Sequence, residues 1–290
     1  MTEQSEPDPV VVDSARLFGP EAFLGPVRRL QTPAITLAYR QFGAGPAVVM
    51  IMGLGGTMRY WSLALLGRLA RRFRVTIFDN RGVGYSTDDL AAEMTIELMG
   101  RDTAELITRL GLARPGVVGW SMGAQIALAL AVDHPGVIGR LVTVAGDSGS
   151  ANAIQPEPRV AAVFNAGMTP ARLIDLLFPD RAAAAKRSYT AEALAGEPQI
   201  ARRTVTRQLA AEAAFAASPH VYDALPRLGL PVLIVQGCQD VVTNPRNAEI
   251  LAARIPNARL VRFEGAGHGL AFQKTDSFVS TITPFLTDQS

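Results

Sequence analysis

A serine between two glycines is the residue of this chain best suited to nucleophilic chemistry. It lies in Gly119-Trp120-Ser121-Met122-Gly123, a G-x-S-x-G pattern. An apolar run fit for a buried strand precedes the pattern, and an Ala/Leu-rich run fit for a helix follows it. In that context the pattern predicts a sharp strand-to-helix turn that presents the Ser121 hydroxyl at the carboxyl end of the strand. Glycine at both outer positions would avoid a clash with crowded backbone.

A serine hydroxyl needs a base to become a nucleophile, and the chain has three histidines that could serve. His268 lies in a loop directly after the last predicted strand, and loops at the carboxyl ends of parallel strands face one crevice. We therefore expect His268 beside Ser121. His134 ends the helix that follows the serine, so we interpret it as a helix-end group. We interpret His220 as a solvated loop residue.

The base in turn needs a carboxylate that orients it, and two aspartates follow predicted strands. Asp240 comes just after the strand predicted over 232–236, and Asp147 ends the strand predicted over 137–144. The chain order Ser121, Asp240, His268 favours Asp240, because serine, acid and histidine follow one another in that order in one large class of hydrolases. Asp147 stays open as the alternative.

Acyl transfer also needs hydrogen-bond donors for the negative oxygen that develops in the transition state. One donor should be the backbone N–H of Met122, directly after the nucleophile. The second should come from Gly53-Leu54-Gly55-Gly56, the loop that follows a fully apolar run at 47–52. Within this loop we choose the Leu54 N–H, because its glycine neighbours let the backbone approach a ligand closely.

The elements around these residues alternate between strand and helix. Strands are predicted at 27–30, 35–42, 47–52, 74–78, 137–144, 232–236 and 258–263, besides the one that ends at Ser121. Helices are predicted at 60–72, 95–110, 245–254 and 275–285, besides the one that follows Ser121. This alternation is typical of an α/β fold with a mostly parallel sheet flanked by helices.

The alternation breaks between residues 149 and 222, where the chain is Ala-rich and punctuated by proline. Helical stretches are predicted there at 158–165, 170–177, 190–195 and 205–217. We interpret 149–222 as an inserted helical cap, or lid, and 1–148 with 223–290 as the core. Residues 1 to about 25 are predicted to be a loose arm.

The composition excludes several classes of partner and cofactor. A formal net charge of +2 over 290 residues gives no reason to expect nucleic acid or a membrane surface as a partner. Gly82-Val83-Gly84 lacks the third glycine of a dinucleotide-binding motif, and no His/Cys spacing fits a metal, so we expect neither cofactor nor metal. The single Cys238 and the absence of a signal sequence or apolar span favour a cytoplasmic protein.

Taken together, these motifs resemble those of the α/β-hydrolase superfamily over about residues 27–287. The turn Asp79-Asn80-Arg81-Gly82-Val83-Gly84-Tyr85-Ser86 is similar to that family's D-x-R-G-x-G-x-S signature. The resemblance is greatest to small esterases, enol-lactonases and cofactor-free haloperoxidase-like members. Relatives that attack with aspartate, the haloalkane dehalogenases and epoxide hydrolases, do not fit a serine at position 121. Many relatives carry His-Gly where this chain has Met52-Gly53, so an anchor of the oxyanion loop is missing.

The residues and the resemblance predict a serine hydrolase that cleaves an ester, lactone or thioester of a small organic molecule through an acyl-enzyme. Two alternatives stay open. The altered Met52-Gly53 loop suggests a biosynthetic lyase or cyclase that uses His268 as a base without an acyl-enzyme. A ligand-binding receptor with vestigial catalysis is the other, although the complete set of Ser121, Asp240 and His268 argues against it. The fold alone does not separate these functions, and the sequence carries no signal of the oligomeric state.

Overall fold

A computed structural model describes residues 22–165, 170–193 and 200–288 of the chain. Its centre is an eight-stranded sheet in the order β1-β2-β4-β3-β5-β6-β7-β8. The strands β3 to β8 run parallel, and the hairpin of β1 and β2 joins β4 in antiparallel pairing. The strand bounds are β1 Arg28–Gln31, β2 Thr36–Phe42, β3 Ala47–Ile51, β4 Arg74–Phe78, β5 Gly116–Trp120, β6 Arg140–Val144, β7 Val232–Gly237 and β8 Arg259–Phe263.

The parallel strands in the middle of the sheet are apolar along nearly their whole length because helices cover both faces. Every residue of β7 is buried, and β3, β5 and β6 each begin with one half-buried residue followed by four buried ones. Two apolar clusters, one on each face of the sheet, form the core. This arrangement confirms the predicted α/β-hydrolase fold with a mostly parallel sheet.

The helices follow the predicted order. Their bounds are α1 Leu63–Ala70, α2 Ile96–Arg109, α3 Met122–Asp133, α4 Pro158–Asn165, α5 Pro170–Leu177, α6 Ala183–Ala193, α7 Arg202–Ala217, α8 His220–Ala224, α9 Arg246–Arg254, α10 Leu270–Gln273 and α11 Thr275–Thr287. Ser62 and Thr95 cap α1 and α2, because each hydroxyl accepts a hydrogen bond from a free backbone N–H of the first turn. No helix in the described ranges is long and apolar enough to cross a membrane.

Several predicted boundaries were wrong for local reasons. The helix predicted at 60–72 begins only at Leu63, because Met58–Tyr60 forms a 3-10 turn. The strand predicted at 137–144 begins at Arg140, after a turn in which Gly136 has φ +86°. Residues 1–21 of the predicted N-terminal arm lie outside the described part of the chain. From there Ala22–Leu24 forms a 3-10 turn and Leu24 is buried in the core.

Between β6 and β7 the chain leaves the sheet for a helical insertion. The helices α4, α5, α6 and α7 lie here, and part of the helix predicted at 190–195 falls outside the described residues. The two ends of this insertion touch, since the Ser150 N–H donates to the Phe215 carbonyl at 3.2 Å. At Gly149, with φ +63°, a Cβ atom would lie 2.5 Å from that same carbonyl oxygen, so the close approach requires glycine.

Candidate active site

The turn around Ser121 is tight enough to dictate the two glycines of the motif. A Cβ atom at Gly119 would lie 2.2 Å from the Gly123 carbonyl oxygen, and one at Gly123 would lie 2.1 Å from the Ile51 carbonyl oxygen. Ser121 itself has φ +59° and ψ −125°, a backbone conformation that side-chain-bearing residues rarely adopt. Its N–H is held by the Val144 carbonyl at 2.9 Å. The strained turn directs the serine side chain into a cavity above the sheet.

His268 lines the same cavity as Ser121 and is bonded to the predicted carboxylate. Its Nδ1 lies 2.9 Å from Asp240 Oδ2, and the histidine is only 2% exposed. A carboxylate at this distance requires a proton on Nδ1, which leaves Nε2 of the neutral ring as an acceptor. The backbone of the histidine is fixed as well, because the Trp120 indole N–H donates to the His268 carbonyl at 3.0 Å.

Asp240 is fixed by its own hydrogen bonds. Oδ1 accepts the N–H groups of Val242 at 2.8 Å and Thr243 at 2.9 Å. Oδ2, which faces His268, also accepts from the Gln236 amide at 2.9 Å. A carboxylate held by three N–H donors keeps its position and aims one oxygen at the histidine ring.

The alternative carboxylate, Asp147, also lines the cavity but points to other partners. It accepts the Gly149 N–H at 2.8 Å, and the Gln125 amide lies 3.2 Å from each of its oxygens. In the described part of the chain it makes no hydrogen bond to His268. Burial raises the pKa of Asp147, opposed by the Gly149 and Gln125 bonds and by the charge of His268. Of the two candidates, Asp240 is thus the one bonded to the base.

The residues chosen as oxyanion donors, Leu54 and Met122, both line the cavity beside Ser121. Their N–H groups donate to no acceptor among the described residues, so both are free for a ligand. Gly53 allows the loop to approach, since a Cβ atom there would lie 3.0 Å from the Ser121 Cβ.

The loop at 53–56, predicted to carry an oxyanion donor, is anchored by contacts other than the histidine that many relatives have. Met52 is fully buried, and its carbonyl accepts the Asn80 side-chain amide at 3.0 Å. The Gly55 N–H donates to Gln208 Oε1 at 2.9 Å, and Gln208 comes from α7 of the insertion. The Gln208 contact could not be predicted from local sequence, because 153 residues separate its two partners.

The other two histidines lie away from the cavity. His134 follows the last residue of α3, as predicted for a helix-end group, and its N–H bonds the Leu130 carbonyl. His220 is not a loop residue, since it begins α8. Its Nε2 lies 2.7 Å from Asp133 Oδ1. This surface contact accounts for His220 without any role at Ser121.

The cavity has a volume of about 230 Å³, and the insertion lines one side of it, which we call the roof. The core supplies the residues around Ser121. The insertion supplies Gln155, Pro156, Ala161, Leu173, Leu177, Leu209, Glu212, Ala213 and Ala216. Phe178, the residue after Leu177, is buried in the core and packs on Tyr189 with ring centroids 5.6 Å apart.

One ionisable residue of the cavity was not singled out from the sequence. Glu212, on α7, is half-buried and lines the cavity with Asp147. Burial raises its pKa to about 8, and repulsion from Asp147 adds to the shift. Nothing in the Ala-rich sequence around Glu212 distinguishes it from a solvent-facing helix residue.

Helix α7 is held on the core by polar contacts along one side. Thr204 donates to the Gly82 carbonyl at 3.0 Å, and Arg207 pairs with Asp88 at 2.9 Å. Asp88 in turn lies 3.4 Å from Arg81, a buried cation that Asp102 holds with two hydrogen bonds of 2.7 and 2.8 Å. The turn at 79–86 therefore connects α7 of the insertion with α2 of the core.

No group of three or more His, Cys, Asp or Glu side chains in the described ranges is arranged to hold a metal ion.

Comparisons with known proteins agree with this architecture. RutD of Enterobacter cloacae, named as a candidate carbamate hydrolase, is 30% identical over 243 residues, which cover 82% of this chain and 90% of that protein. The solved enol-lactonase of Burkholderia xenovorans LB400 has a TM-score of 0.72 at 25% identity, over 90% of this chain and all of the lactonase.

A solved α/β-hydrolase fold protein from Chitinophaga pinensis superimposes with a TM-score of 0.82 over 92% of this chain and 98% of its own, at 23% identity. The sequence model of the α/β-hydrolase fold matches residues 46–275. The chain therefore belongs to the α/β-hydrolase fold family, and its relatives identify it as a hydrolase.

Proposed function

We propose that the protein is a serine hydrolase that cleaves an ester, lactone or thioester of a small organic molecule. The observation that carries the proposal is the hydrogen bond of 2.9 Å between His268 Nδ1 and Asp240, with His268 and Ser121 lining one cavity. A histidine whose Nδ1 proton is held by a carboxylate can accept the serine proton at Nε2.

In this proposal the Ser121 oxygen attacks the substrate carbonyl while His268 takes its proton. The N–H groups of Leu54 and Met122 stabilise the negative oxygen, because they have no other acceptor in the described chain. His268 then returns the proton to the leaving group, and water hydrolyses the acyl-enzyme in the reverse sequence of steps.

A carbamate is a second candidate substrate, favoured by the name of the 30% identical RutD relative. The same residues would act on it, since a carbamate also presents a carbonyl carbon to the nucleophile. Its carbonyl is less electrophilic than that of an ester, so a carbamate hydrolase would hydrolyse activated esters as well. Parallel assays of aryl esters and aryl carbamates of equal size distinguish the two substrate classes. Turnover of both would indicate a carbamate hydrolase, and turnover of the ester alone would indicate an esterase.

The test combines covalent labelling with kinetics. We expect a fluorophosphonate to label the wild-type protein at Ser121 and to abolish turnover of p-nitrophenyl acetate. Ser121→Ala should prevent labelling and lower kcat/KM by about 10³-fold or more, because the residues of a triad act as a unit. Ser280→Ala on the exposed face of α11 is the matched control. Unchanged turnover by Ser121→Ala would refute the proposal, and labelling without loss of turnover would favour a lyase or cyclase.

A further inference from the structure

The cavity above Ser121 is acidic on the side formed by β6 and α7. Its ionisable lining residues in the described chain are Asp147, Glu212 and His268, and no Arg or Lys lines it there. His268 is bonded to Asp240 and belongs to the proposed catalytic set. Asp147 and Glu212 have no role in the proposed hydrolysis, yet both lie in the same cavity.

Two carboxyl groups at a roofed cavity are costly unless a ligand interacts with them. Each charge loses hydration, and the two repel each other. The pKa of Glu212 is raised to about 8 by burial and by Asp147, which means that its surroundings in the protein resist its ionisation. A cation in the cavity would remove that resistance. An anion would meet the opposite field, with no basic lining residue to offset it.

Gln125 provides an independent indication of a ligand. It lines the cavity, is 8% exposed, and directs its amide N–H groups at both oxygens of Asp147 at 3.2 Å. This orientation is required, because turning the amide over would bring its oxygen against a carboxylate. Its Oε1 is buried and has no partner in the described part of the chain. A buried acceptor without a donor lacks a hydrogen bond that an N–H group of a ligand could provide.

We propose that Asp147, Glu212 and Gln125 form a binding site for a positively charged amine of the substrate. This inference rests on the proposed function and names its substrate class: acyl compounds that carry an ammonium group on the part that enters the cavity. Substrates with a carboxylate at the same place are disfavoured by the same charges. Ser121 and the amine site then share one cavity.

The experiment compares p-nitrophenyl esters that differ only at the far end of the acyl chain. The end group is trimethylammonium, its neutral isostere tert-butyl, or carboxylate, each on spacers of two to five methylenes. Trimethylammonium has no N–H group, so this series tests the charge of the site separately from the hydrogen bond to Gln125. For the best spacer we expect kcat/KM of the ammonium ester to exceed that of the neutral ester by roughly tenfold. The carboxylate ester should fall below the neutral one by a similar factor. Equal rates for the three end groups would overturn the inference.

The pH dependence of the preference for the ammonium ester shows when the carboxyl groups of the cavity ionise. The trimethylammonium charge does not titrate, and any pH effect on the catalytic step that is common to both esters cancels in the ratio of their kcat/KM values. Glu212 faces Asp147 and His268 across the cavity, and its ionisation near pH 8 adds negative charge. We therefore expect the ratio of ammonium to neutral kcat/KM to rise between pH 7 and 9. A ratio that is flat or falls would contradict the assignment of Glu212.

Variants assign the effect to residues. Glu212→Gln should make the ratio independent of pH above 7, and Asp147→Asn should lower it at every pH. Glu105→Gln, which changes a half-buried glutamate of α2 that does not line the cavity, is the matched control and should keep the wild-type ratio. If a cavity variant fails to fold, the wild-type charge series and its pH profile still decide the question.

The two proposals fail in different ways. Hydrolysis of the neutral ester with no charge preference would refute the amine site and leave the serine hydrolase standing. Absence of both labelling and ester turnover would refute the hydrolase. In that case calorimetric titration with pentyltrimethylammonium decides the amine site by itself. Binding that Glu212→Gln weakens supports it, and absence of binding overturns it.

Discussion

The hydrogen bonds of Asp240 and Asp147 distinguish two aspartates that have similar positions in the fold. Both follow parallel strands and both interact with His268, but only Asp240 is hydrogen-bonded to it in the described chain. Because Asp240 fixes the proton on Nδ1, we expect Asp240→Asn to lower kcat for a neutral ester by about 10³- to 10⁴-fold through the wrong tautomer.

Asp147→Asn should change kcat for the neutral ester far less, because its partners are Gln125 and Gly149. Steady-state kinetics of the two variants at pH 8, with circular dichroism to check folding, measure the difference. A larger loss in Asp147→Asn would transfer the orienting role to the earlier strand.

Among single residues, candidate site residues can be predicted from the sequence when the residues next to them in the chain form a recognisable motif. Ser121 is surrounded by its glycines, and His268 and Asp240 follow recognisable strands. Glu212 and Gln125 could not be singled out, because their importance depends on a contact between the insertion and the end of β6. An alanine-rich helix has no local pattern that says which face covers a cavity.

Among the elements, the loop at 53–56 depends on a helix far away in the chain. Removing the Gln208 acceptor frees the Gly55 N–H and loosens the loop that carries the Leu54 donor. We expect Gln208→Leu to lower kcat on the order of tenfold with little change in KM, because the misplaced donor acts in the transition state. Gln41→Leu, on β2, is the control for loss of a half-buried glutamine. A change in KM alone would assign Gln208 to substrate binding instead.

The helix α5 contributes a side chain to the roof whose size should limit the substrate. Leu173 lines the cavity, whereas its neighbour Leu176 on the same helix does not. Leu173→Ala should therefore shift the optimum of kcat/KM toward longer acyl chains by about one or two methylenes. Leu176→Ala should leave the optimum unchanged. A set of p-nitrophenyl esters from acetate to octanoate measures both, and identical profiles for the two variants would remove Leu173 from the specificity site.

Element boundaries were less predictable than element types. The apolar runs of β3, β5 and β7 are unambiguous because parallel strands are buried on both faces. The 3-10 turn at Met58–Tyr60 and the short α8 and α10 have no long period to detect. Their ends are set by tertiary contacts such as the bond from Tyr189 to the Tyr60 carbonyl, which local sequence does not encode.

For the molecule as a whole, the raised pKa of Glu212 makes stability depend on pH. Its folded pKa of about 8 lies above the ordinary value of 4.5, so the folded state binds the proton more tightly. This contribution to stability is fully present below pH 4.5 and is lost as the pH rises through 8.

We therefore expect Glu212→Gln to be more stable than the wild type at pH 9, by about 2 kcal/mol once screening by solvent in the cavity is allowed for. The advantage should vanish near pH 5. Urea unfolding of both proteins across this range measures it, with Glu105→Gln as the control. Parallel stability curves would show that Glu212 ionises freely in the folded protein.

Because Ser150 and Phe215 are in contact, the segment between them, which forms the roof of the cavity, should be replaceable as one unit (the cassette). A segment that leaves and re-enters the core at one point can be cut out or replaced without stretching the chain that remains. Helix α8 and the residues after it still provide the crossover from β6 to β7. A new acyl specificity could thus be grafted between residues 150 and 215 while the strands that carry Ser121, Asp240 and His268 stay untouched. Such a graft must bring its own acceptor for the Gly55 N–H, since the native one leaves with the cassette.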